Sequence, residues 1–182
     1  HPVAHSFPTR RSSDLTTIRD AVFSAGYTGF FFDDQRAIKR GAGHDGFTYA
    51  GAAVTPGFSA IRQAGESISI LLLLDDGQVA AGDACAVQYS GAGGRDPVFL
   101  AAEFLPVLER EIKPLLVGRS LNGFRSAAAW IDELQLGGRR LHTALRYGLS
   151  QALLDAQAKA EGRLMTEVLC DEYELPLPEG PV

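Results

Sequence analysis

A glycine-rich segment, residues 82–97, concentrates the side chains that could do chemistry in this sequence of 182 residues. Three glycines within four residues, Gly91, Gly93 and Gly94, let the backbone adopt positive φ angles and approach a ligand closely. The polar side chains around these glycines are Asp83, Gln88, Tyr89, Ser90, Arg95 and Asp96. Because loops between regular elements often carry function, we expect the binding chemistry of the chain to lie here.

Two other interpretations of this segment are open, and the first does not exclude function in the residues before Asp96. It could be an exposed connector in which Asp96 caps the following helix and Pro97 occupies its first position, as these residue types often do. It could also be a phosphate cradle, since glycine-rich loops before helices bind anions. The string from Ser90 to Pro97 fits neither G-x-x-x-x-G-K-[ST] nor G-x-G-x-x-G, so a nucleotide site has little support.

Several polar strings occur in a fixed order along the chain. They are TGFFFDDQRAIK at 28–39, GAGHDGFTY at 41–49, GESIS at 65–69, VQYSGAGGRDP at 87–97 and RLHTALRYG at 140–148. In composition, order and spacing they resemble methylaspartate ammonia-lyase, a family of the enolase superfamily. The resemblance covers residues 16–173.

The resemblance implies the reversible elimination of ammonia from 3-methylaspartate to give mesaconate, a step of amino-acid and glutamate catabolism. A base must remove the C3 proton, and enolase-superfamily sites use a lysine or histidine base together with Mg²⁺. In the family, the base and the Mg²⁺ ligands come from a C-terminal (β/α)8 barrel. We therefore assign no catalytic or metal-binding residue to this chain. We expect Mg²⁺, and allow for a monovalent cation, in the barrel.

By the same resemblance, the chain corresponds to the N-terminal capping domain, or substrate lid, without the C-terminal TIM barrel. We expect residues 16–173 to form that domain and residues 174–182 to begin the linker to the missing barrel. The chain alone should then lack lyase activity. Residues 1–15 resemble a translated sequencing adapter and are left out of the fold. The resemblance implies a homodimer for the full-length enzyme, and we expect a cytoplasmic location.

The side chains that we expect near the substrate are Gln88, Tyr89, Ser90, Arg95 and His44. The Gln88 carboxamide can accept a hydrogen bond from an ammonium and donate one to a carboxylate, and the resemblance places it facing the site. A loop amide bonded to the backbone is the alternative. Arg95 could bind a substrate carboxylate through two N–H groups, although a salt bridge with Asp96 or Asp83 is favoured. His44 is favoured as a loop residue bonded to the backbone, and proximity to the substrate stays open.

The other reactive side chains have ordinary explanations. Lys39, Lys113 and Lys159 are expected to be solvated. Cys85 and Cys170 do not make a disulfide framework, and reduced thiols are the default. Cys85 is also shifted by one residue from the pattern expected for the family. The acidic pair at 33–34 is expected to form a solvated turn, since the sequence identifies no further oxygen ligands for a metal.

Composition limits the classes of partner. A net charge of −5 argues against nucleic acid or an anionic membrane surface, and 46% apolar with 21% charged residues describes an ordinary globular protein. No apolar run approaches the ~20 residues of a membrane span. Besides the enzyme fragment, a stand-alone small-ligand or protein-binding module using residues 82–97 is the rival hypothesis.

The periodicity predicts an α+β fold, with an antiparallel β-meander or hairpin followed by a helical bundle. Strands are predicted at 16–23 and 28–32, separated by a break at 24–26. A hairpin at Asp76-Gly77 joins strands at 66–74 and 78–84. Residues 71–74 are expected to be buried on both faces. Helices are predicted at 98–116, with a kink or boundary at Pro106, and at 124–136, 141–160 and 164–172. The helix at 141–160 carries an apolar stripe at helical spacing, from Leu141 to Ala156.

Overall fold

The computed structural model describes residues 15–86, 96–177 and 180. A three-stranded antiparallel sheet, in the order β1-β2-β3, forms one layer. Its strands are β1 (Ile18–Asp33), β2 (Arg62–Leu74) and β3 (Val79–Cys85). The helices are α1 (Gln35–Lys39), α2 (Ala101–Val107), α3 (Lys113–Leu116), α4 (Phe124–Glu133), α5 (Thr143–Glu161) and α6 (Met165–Glu172), and a two-residue ribbon pairs β4 (Gln135–Leu136) with β5 (Arg139–Arg140). The predicted α+β class is confirmed.

The hairpin between β2 and β3 forms where it was predicted. Gly77 has a φ of +89°, which glycine adopts without strain, and its N–H donates to the Leu74 carbonyl at 3.1 Å. Burial alternates along β2: Leu72 and Leu74 are fully buried, whereas Leu71 is 38% exposed. The prediction that residues 71–74 are buried on both faces is wrong, because the helices that the structure describes pack against the face that carries Leu72 and Leu74.

The predicted break in the first strand is also wrong. β1 continues through residues 24–26, and its pairing with β2 runs without interruption from Ser24↔Ser69 to Tyr27↔Glu66. One register shift precedes this stretch, between Ile18 and Asp20, and a second follows it, between Tyr27 and Phe31. There β1 crowds the β2 backbone, since a Cβ on Gly65 would lie 2.7 Å from the Phe30 carbonyl oxygen. Glycine at position 65 therefore accommodates a bulge in β1.

The helical stretch after the glycine-rich segment begins at Ala101, three residues later than predicted. Its first N–H donates to Glu66 Oε2 at 2.6 Å, so a carboxylate on β2 caps this helix and the predicted cap by Asp96 is wrong. Pro106 lies inside α2, and one π-helical turn, Leu108–Ile112, joins α2 to α3. Proline cannot donate a backbone hydrogen bond, which is consistent with irregular helical winding nearby. The stretch still buries its apolar side into the core.

Helix α5 lies directly on strand β3. The apolar stripe predicted for this helix, from Leu141 to Ala156, is buried throughout. Small residues let the two backbones touch: a Cβ on Gly148 would lie 2.5 Å from the Ala84 nitrogen, and a Cβ on Gly82 would overlap the Gly148 carbonyl. We refer to these two elements as the β3–α5 unit.

Side chains of α5 also close the outer edge of β3. Asp155 Oδ2 accepts from the Ala81 N–H at 2.8 Å, and Gln151 Oε1 accepts from the Asp83 N–H at 2.9 Å. The Lys159 ammonium donates to the Val79 carbonyl at 2.7 Å. Spaced four residues apart, these side chains bond the groups that another strand would otherwise use.

Helix α6 contributes Val168 to a second, smaller apolar cluster, in which it packs with Phe124 of α4 and Ala158 of α5. The Glu172 carboxylate at its end accepts from the backbone N–H of Phe124, at 2.7 Å, and from that of Arg125. α6 is therefore held against the start of α4 by a charged cap as well as by apolar contact. Among the helices that the structure describes, none is long and apolar enough to cross a membrane.

Candidate functional site

Four of the five side chains predicted near the substrate, Gln88, Tyr89, Ser90 and Arg95, lie outside the described residues. The structure does describe both attachments of the segment that carries them. One is the end of β3, at Cys85 and Ala86, and the other is Asp96. The described part of the candidate site therefore consists of these two attachments and the loop that contains His44.

At the first attachment, Cys85 pairs with Ser67 of β2 and is half-buried. Burial raises the pKa of its thiol, and the nearby negative charge of Asp83 raises it further. A thiol with a raised pKa is a poor nucleophile at neutral pH, because the thiolate is the reactive form. Cys85 thus behaves as a small apolar residue at the end of the strand.

At the second attachment, Asp96 bonds to the start of α5. Its Oδ2 accepts from the Thr143 N–H at 2.7 Å. Burial alone would raise the pKa of the Asp96 carboxyl, but side-chain and backbone hydrogen bonds from Thr143 outweigh it and hold the pKa below its usual range. Asp96 therefore carries a negative charge at neutral pH and stabilises the N-terminus of α5 rather than that of α2. The predicted Arg95–Asp96 salt bridge involves a residue outside the described range.

His142 makes the second bond at this attachment. The ring is 7% exposed and packs beside Phe99 and Phe104, with ring centroids 5.2 and 5.1 Å away. Its Nδ1 accepts from the Ala144 N–H at 3.1 Å, so Nε2 carries the proton and donates to the Pro97 carbonyl at 3.0 Å. Sequence reasoning missed this residue. The only signal was its position directly before the apolar stripe of α5, where a helix cap is expected.

The loop that contains His44 is exposed. His44 Nδ1 accepts from the Gly46 N–H at 3.2 Å. The backbones of His44 and Tyr49 form an isolated β-bridge, and the centroids of their rings lie 5.8 Å apart. The interpretation of His44 as a loop residue bonded to the backbone fits this geometry. A role near the substrate stays a prediction.

Arg62, the first residue of β2, ties this loop to the sheet. Its guanidinium donates twice to the Asp33 carboxylate, at 2.7 Å each, and once to the Phe47 carbonyl at 2.8 Å. It also lies over the rings of Phe47 and Tyr49, 5.3 and 5.0 Å from their centroids. The bonds to Asp33 raise the pKa of Arg62. A bidentate ion pair combined with stacking fixes the guanidinium in one orientation.

Asp34, the residue after Asp33, fixes the rest of the loop. This carboxylate is 1% exposed and accepts from the N–H groups of Val54 and Thr55, from the Thr55 hydroxyl, and from the first turn of α1. Burial opposes its ionisation, but these hydrogen bonds prevail and lower the pKa of Asp34 to about 2. The solvated turn predicted at 33–34 is therefore wrong, because the acidic pair is committed to a salt bridge and a buried network.

Both glycine-rich loops leave the same end of the sheet. β3 ends opposite Ser67, while the His44 loop is fixed at Arg62, five residues further along β2. At about 3.3 Å per residue, the two points are roughly 16 Å apart. Four aromatic side chains at this end are more than half exposed: Tyr27, Phe30, Phe31 and Phe47.

A groove of about 1360 Å³ lies near the other end of the sheet, between the β2–β3 turn and helices α4, α5 and α6. Its lining is charged, but the charges bond to one another: Arg163 pairs with Glu161 and Asp171, and Glu172 caps α4. Within the ranges that the structure describes, no group of three or more His, Cys, Asp or Glu side chains could hold a metal ion.

Comparison with known proteins identifies the family. The sequence profile described as "Methylaspartate ammonia-lyase N-terminus" matches residues 16–174. The chain belongs to this family. It is 62% identical over 164 residues to methylaspartate ammonia-lyase of Citrobacter amalonaticus, which covers 90% of this chain and 40% of that enzyme. It is 61% identical over 156 residues to the enzyme of Clostridium tetanomorphum, with 86% and 38% covered.

Solved structures of the family share the fold. β-Methylaspartase from Clostridium tetanomorphum, in its Mg complex, superimposes with a TM-score of 0.87 at 58% identity over 91% of this chain and 40% of that one. The Citrobacter amalonaticus enzyme containing (2S,3S)-3-methylaspartic acid gives a TM-score of 0.85 at 62% identity over 88% and 39%. The chain thus spans about 40% of the length of its curated relatives. The resemblance found in the polar strings is confirmed.

Proposed function

We propose that this chain is the N-terminal capping domain of a methylaspartate ammonia-lyase, which eliminates ammonia reversibly from 3-methylaspartate to give mesaconate. The observation that carries the proposal is the family match over residues 16–174 at 62% identity to a named lyase. A relative's crystal structure that contains (2S,3S)-3-methylaspartic acid supports a 3-methylaspartate as substrate.

Within that reaction, the contribution proposed for this chain is substrate binding. The Gln88 carboxamide would accept a hydrogen bond from the substrate ammonium or donate one to a carboxylate, and Arg95 would meet a carboxylate through two parallel N–H groups. Tyr89, Ser90 and His44 complete the proposed set. The attachments at Cys85 and Asp96 support it, since both ends of the segment are joined to the β3–α5 unit.

The described residues do not fit a Mg²⁺ site, because no three of their carboxylate, histidine or cysteine side chains cluster. The buried carboxylate of Asp34 is already bonded to backbone N–H groups, and the half-buried Asp33 is bonded to Arg62. We propose that Mg²⁺ and the base bind in a C-terminal barrel corresponding to the remainder of the relatives' length. The Mg complex of the Clostridium tetanomorphum relative supports a requirement for this ion in the complete enzyme.

We propose that the aromatic end of the sheet contacts that barrel. The exposed rings of Tyr27, Phe30, Phe31 and Phe47 form an apolar surface that another domain could cover. A homodimer, which the family resemblance suggests, and a cytoplasmic location are part of the same proposal.

A chimera tests this function. Residues 16–174 of this chain would replace the matching part of the Citrobacter amalonaticus enzyme, and mesaconate formation from 3-methylaspartate would be followed by absorbance. We expect kcat/KM within about tenfold of the parent, because the 62% identity spans the whole replaced part. The chain without the barrel should show no turnover. A folded but inactive chimera would contradict the proposal and favour the binding-module hypothesis.

Gln88→Ala in the active chimera tests the binding role. One hydrogen bond to a charged group corresponds to roughly a 10- to 150-fold loss of kcat/KM. We expect a loss in this range with an unchanged melting temperature. Equal losses of activity and stability would assign Gln88 to the structural framework instead.

A further inference from the structure

We propose that His142 is a positioning residue for substrate binding, which holds the Asp96–Pro97 attachment of the glycine-rich segment against the start of α5. The proposal rests on the function proposed above, because it assigns a second, indirect residue to the same binding role. It adds a residue that touches neither the substrate nor the reacting atoms.

The two ring nitrogens of His142 serve different partners. Nδ1 accepts from the Ala144 N–H and so caps α5, whereas Nε2–H donates to the Pro97 carbonyl, 45 residues earlier in the chain. Only the second bond restrains the attachment. A histidine that merely capped the helix would need only the first.

The ring has little freedom to leave this position. It is 7% exposed and touches Phe99 and Phe104, which themselves stack on each other with centroids 5.1 Å apart. Asp96 adds a parallel tether through the Thr143 N–H. Asp96 is therefore bonded directly to Thr143, and Pro97 is linked to Ala144 through His142. The first two residues of α5 thus restrain one short stretch of chain.

The position of that stretch matters because α5 itself is fixed. Its contact with β3 through Gly148 and its bonds to the β3 edge from Gln151 and Asp155 leave the helix no room to slide. The end of β3 and the start of α5 thus hold both attachments at a set separation. Misplacing a binding group by about 1 Å can cost on the order of 100-fold in rate, so a restrained attachment is of direct use.

Two substitutions separate the two bonds. In His142→Asn, the side-chain oxygen can replace Nδ1 as the cap for Ala144, but no donor reaches Pro97. In His142→Gln, the longer amide can donate to the Pro97 carbonyl, but the cap is lost. Both variants remove the ring from Phe99 and Phe104, so each is the packing control for the other.

The test is a comparison of KM and kcat in the chimera. We expect His142→Asn to raise the KM for 3-methylaspartate at least fivefold with kcat changed less than twofold. We expect His142→Gln to change KM less than twofold while lowering the melting temperature more than His142→Asn does. Equal KM values in the two variants would overturn the proposal, because they would reduce the role of His142 to packing.

Hydrogen exchange provides a readout that does not depend on activity. In the chain as it stands, peptides covering residues 96–104 should exchange faster in His142→Asn than in His142→Gln. If the unsubstituted chimera is inactive but this difference in exchange rate appears, the proposed function fails while the role of His142 in holding Asp96 and Pro97 is supported. If the chimera is active and the difference is missing, the positioning proposal is overturned.

Discussion

The β3–α5 unit and the loop at residues 34–61 are both held together by long-range contacts, but by different physics. α5 rests on β3 through small apolar residues in backbone contact, and Gly148 lies against Ala84. The 34–61 loop is tied down by the buried carboxylate of Asp34 and the Asp33–Arg62 ion pair. The first region depends on shape and the second on charge. We therefore expect the two regions to respond differently to an added methyl group and to acid.

The largest effect expected is that of one methyl group in the β3–α5 unit. Gly148→Ala would place a Cβ 2.5 Å from the Ala84 nitrogen, so the helix and strand must separate. We expect a loss of about 3 kcal/mol in the free energy of unfolding, which outweighs the roughly 1 kcal/mol that alanine gains in helix propensity. Urea unfolding measures it.

Gly29→Ala is the matched control for that substitution. A Cβ on Gly29 would meet nothing within 4 Å, so we expect little change in stability. If Gly148→Ala were tolerated as well as Gly29→Ala, the close packing of α5 on β3 would be disproved.

The next effect, in the 34–61 loop, depends on pH. The pKa of Asp34 is about 2 in the folded chain, against about 3.9 for an unfolded aspartate. A depressed pKa stabilises the fold above pH 4, by about 2.5 kcal/mol for this difference, and that stabilisation is lost as the pH falls from about 4 to 2. Asp34→Asn should therefore destabilise the chain by a similar amount at pH 7 and flatten the acid side of its stability profile.

Gly148→Ala should leave this acid profile unchanged in shape, which separates the two regions. Asp45→Asn is the matched control, since the pKa of Asp45 is also about 2 but the side chain is exposed. Water can replace the bonds it makes to Phe47 and Thr48, so we expect a smaller change. An Asp34→Asn chain with an unaltered acid limb would contradict the assignment.

The smallest of the three effects concerns the closed edge of β3. Asp155→Ala removes the acceptor of the Ala81 N–H and the salt-bridge partner of Lys159. We expect a loss of about 1 kcal/mol in urea unfolding, because water can reach the freed N–H. Asp171→Ala, which removes an exposed partner of Arg163, should change stability less. A larger loss from Asp171→Ala would reverse the ranking.

Local patterns predicted the elements that depend on local chemistry. The Asp76-Gly77 turn and the apolar stripe of α5 could be read from the sequence because each is set by residues close together in the chain. The burial of residues 71–74 could not, since a run of leucines does not reveal which face the described helices cover. The cap of α2 was missed because it joins distant parts of the chain: Glu66 lies 35 residues before Ala101.

The candidate site shows the same limit. The polar strings located the glycine-rich segment and the family, but the partners of Asp34 are 20 and 21 residues away and those of His142 include Pro97. Histidine before a helix is not a strong capping signal, and nothing local in the sequence indicates that its ring faces a carbonyl of another segment. Such long-range bonds become visible only when the fold brings the segments together.

The closure of the β3 edge has a consequence for the order of events during synthesis. The bonds that close it join residues 68 to 80 positions apart, so Gln151 leaves the ribosome long after Asp83. At roughly 5 to 20 residues per second, the completed hairpin waits about 3 to 16 seconds for its helix. During that interval the unpaired N–H and C=O groups at the outer edge of β3 are exposed to other nascent chains. Binding by chaperones would protect the chain most at this stage.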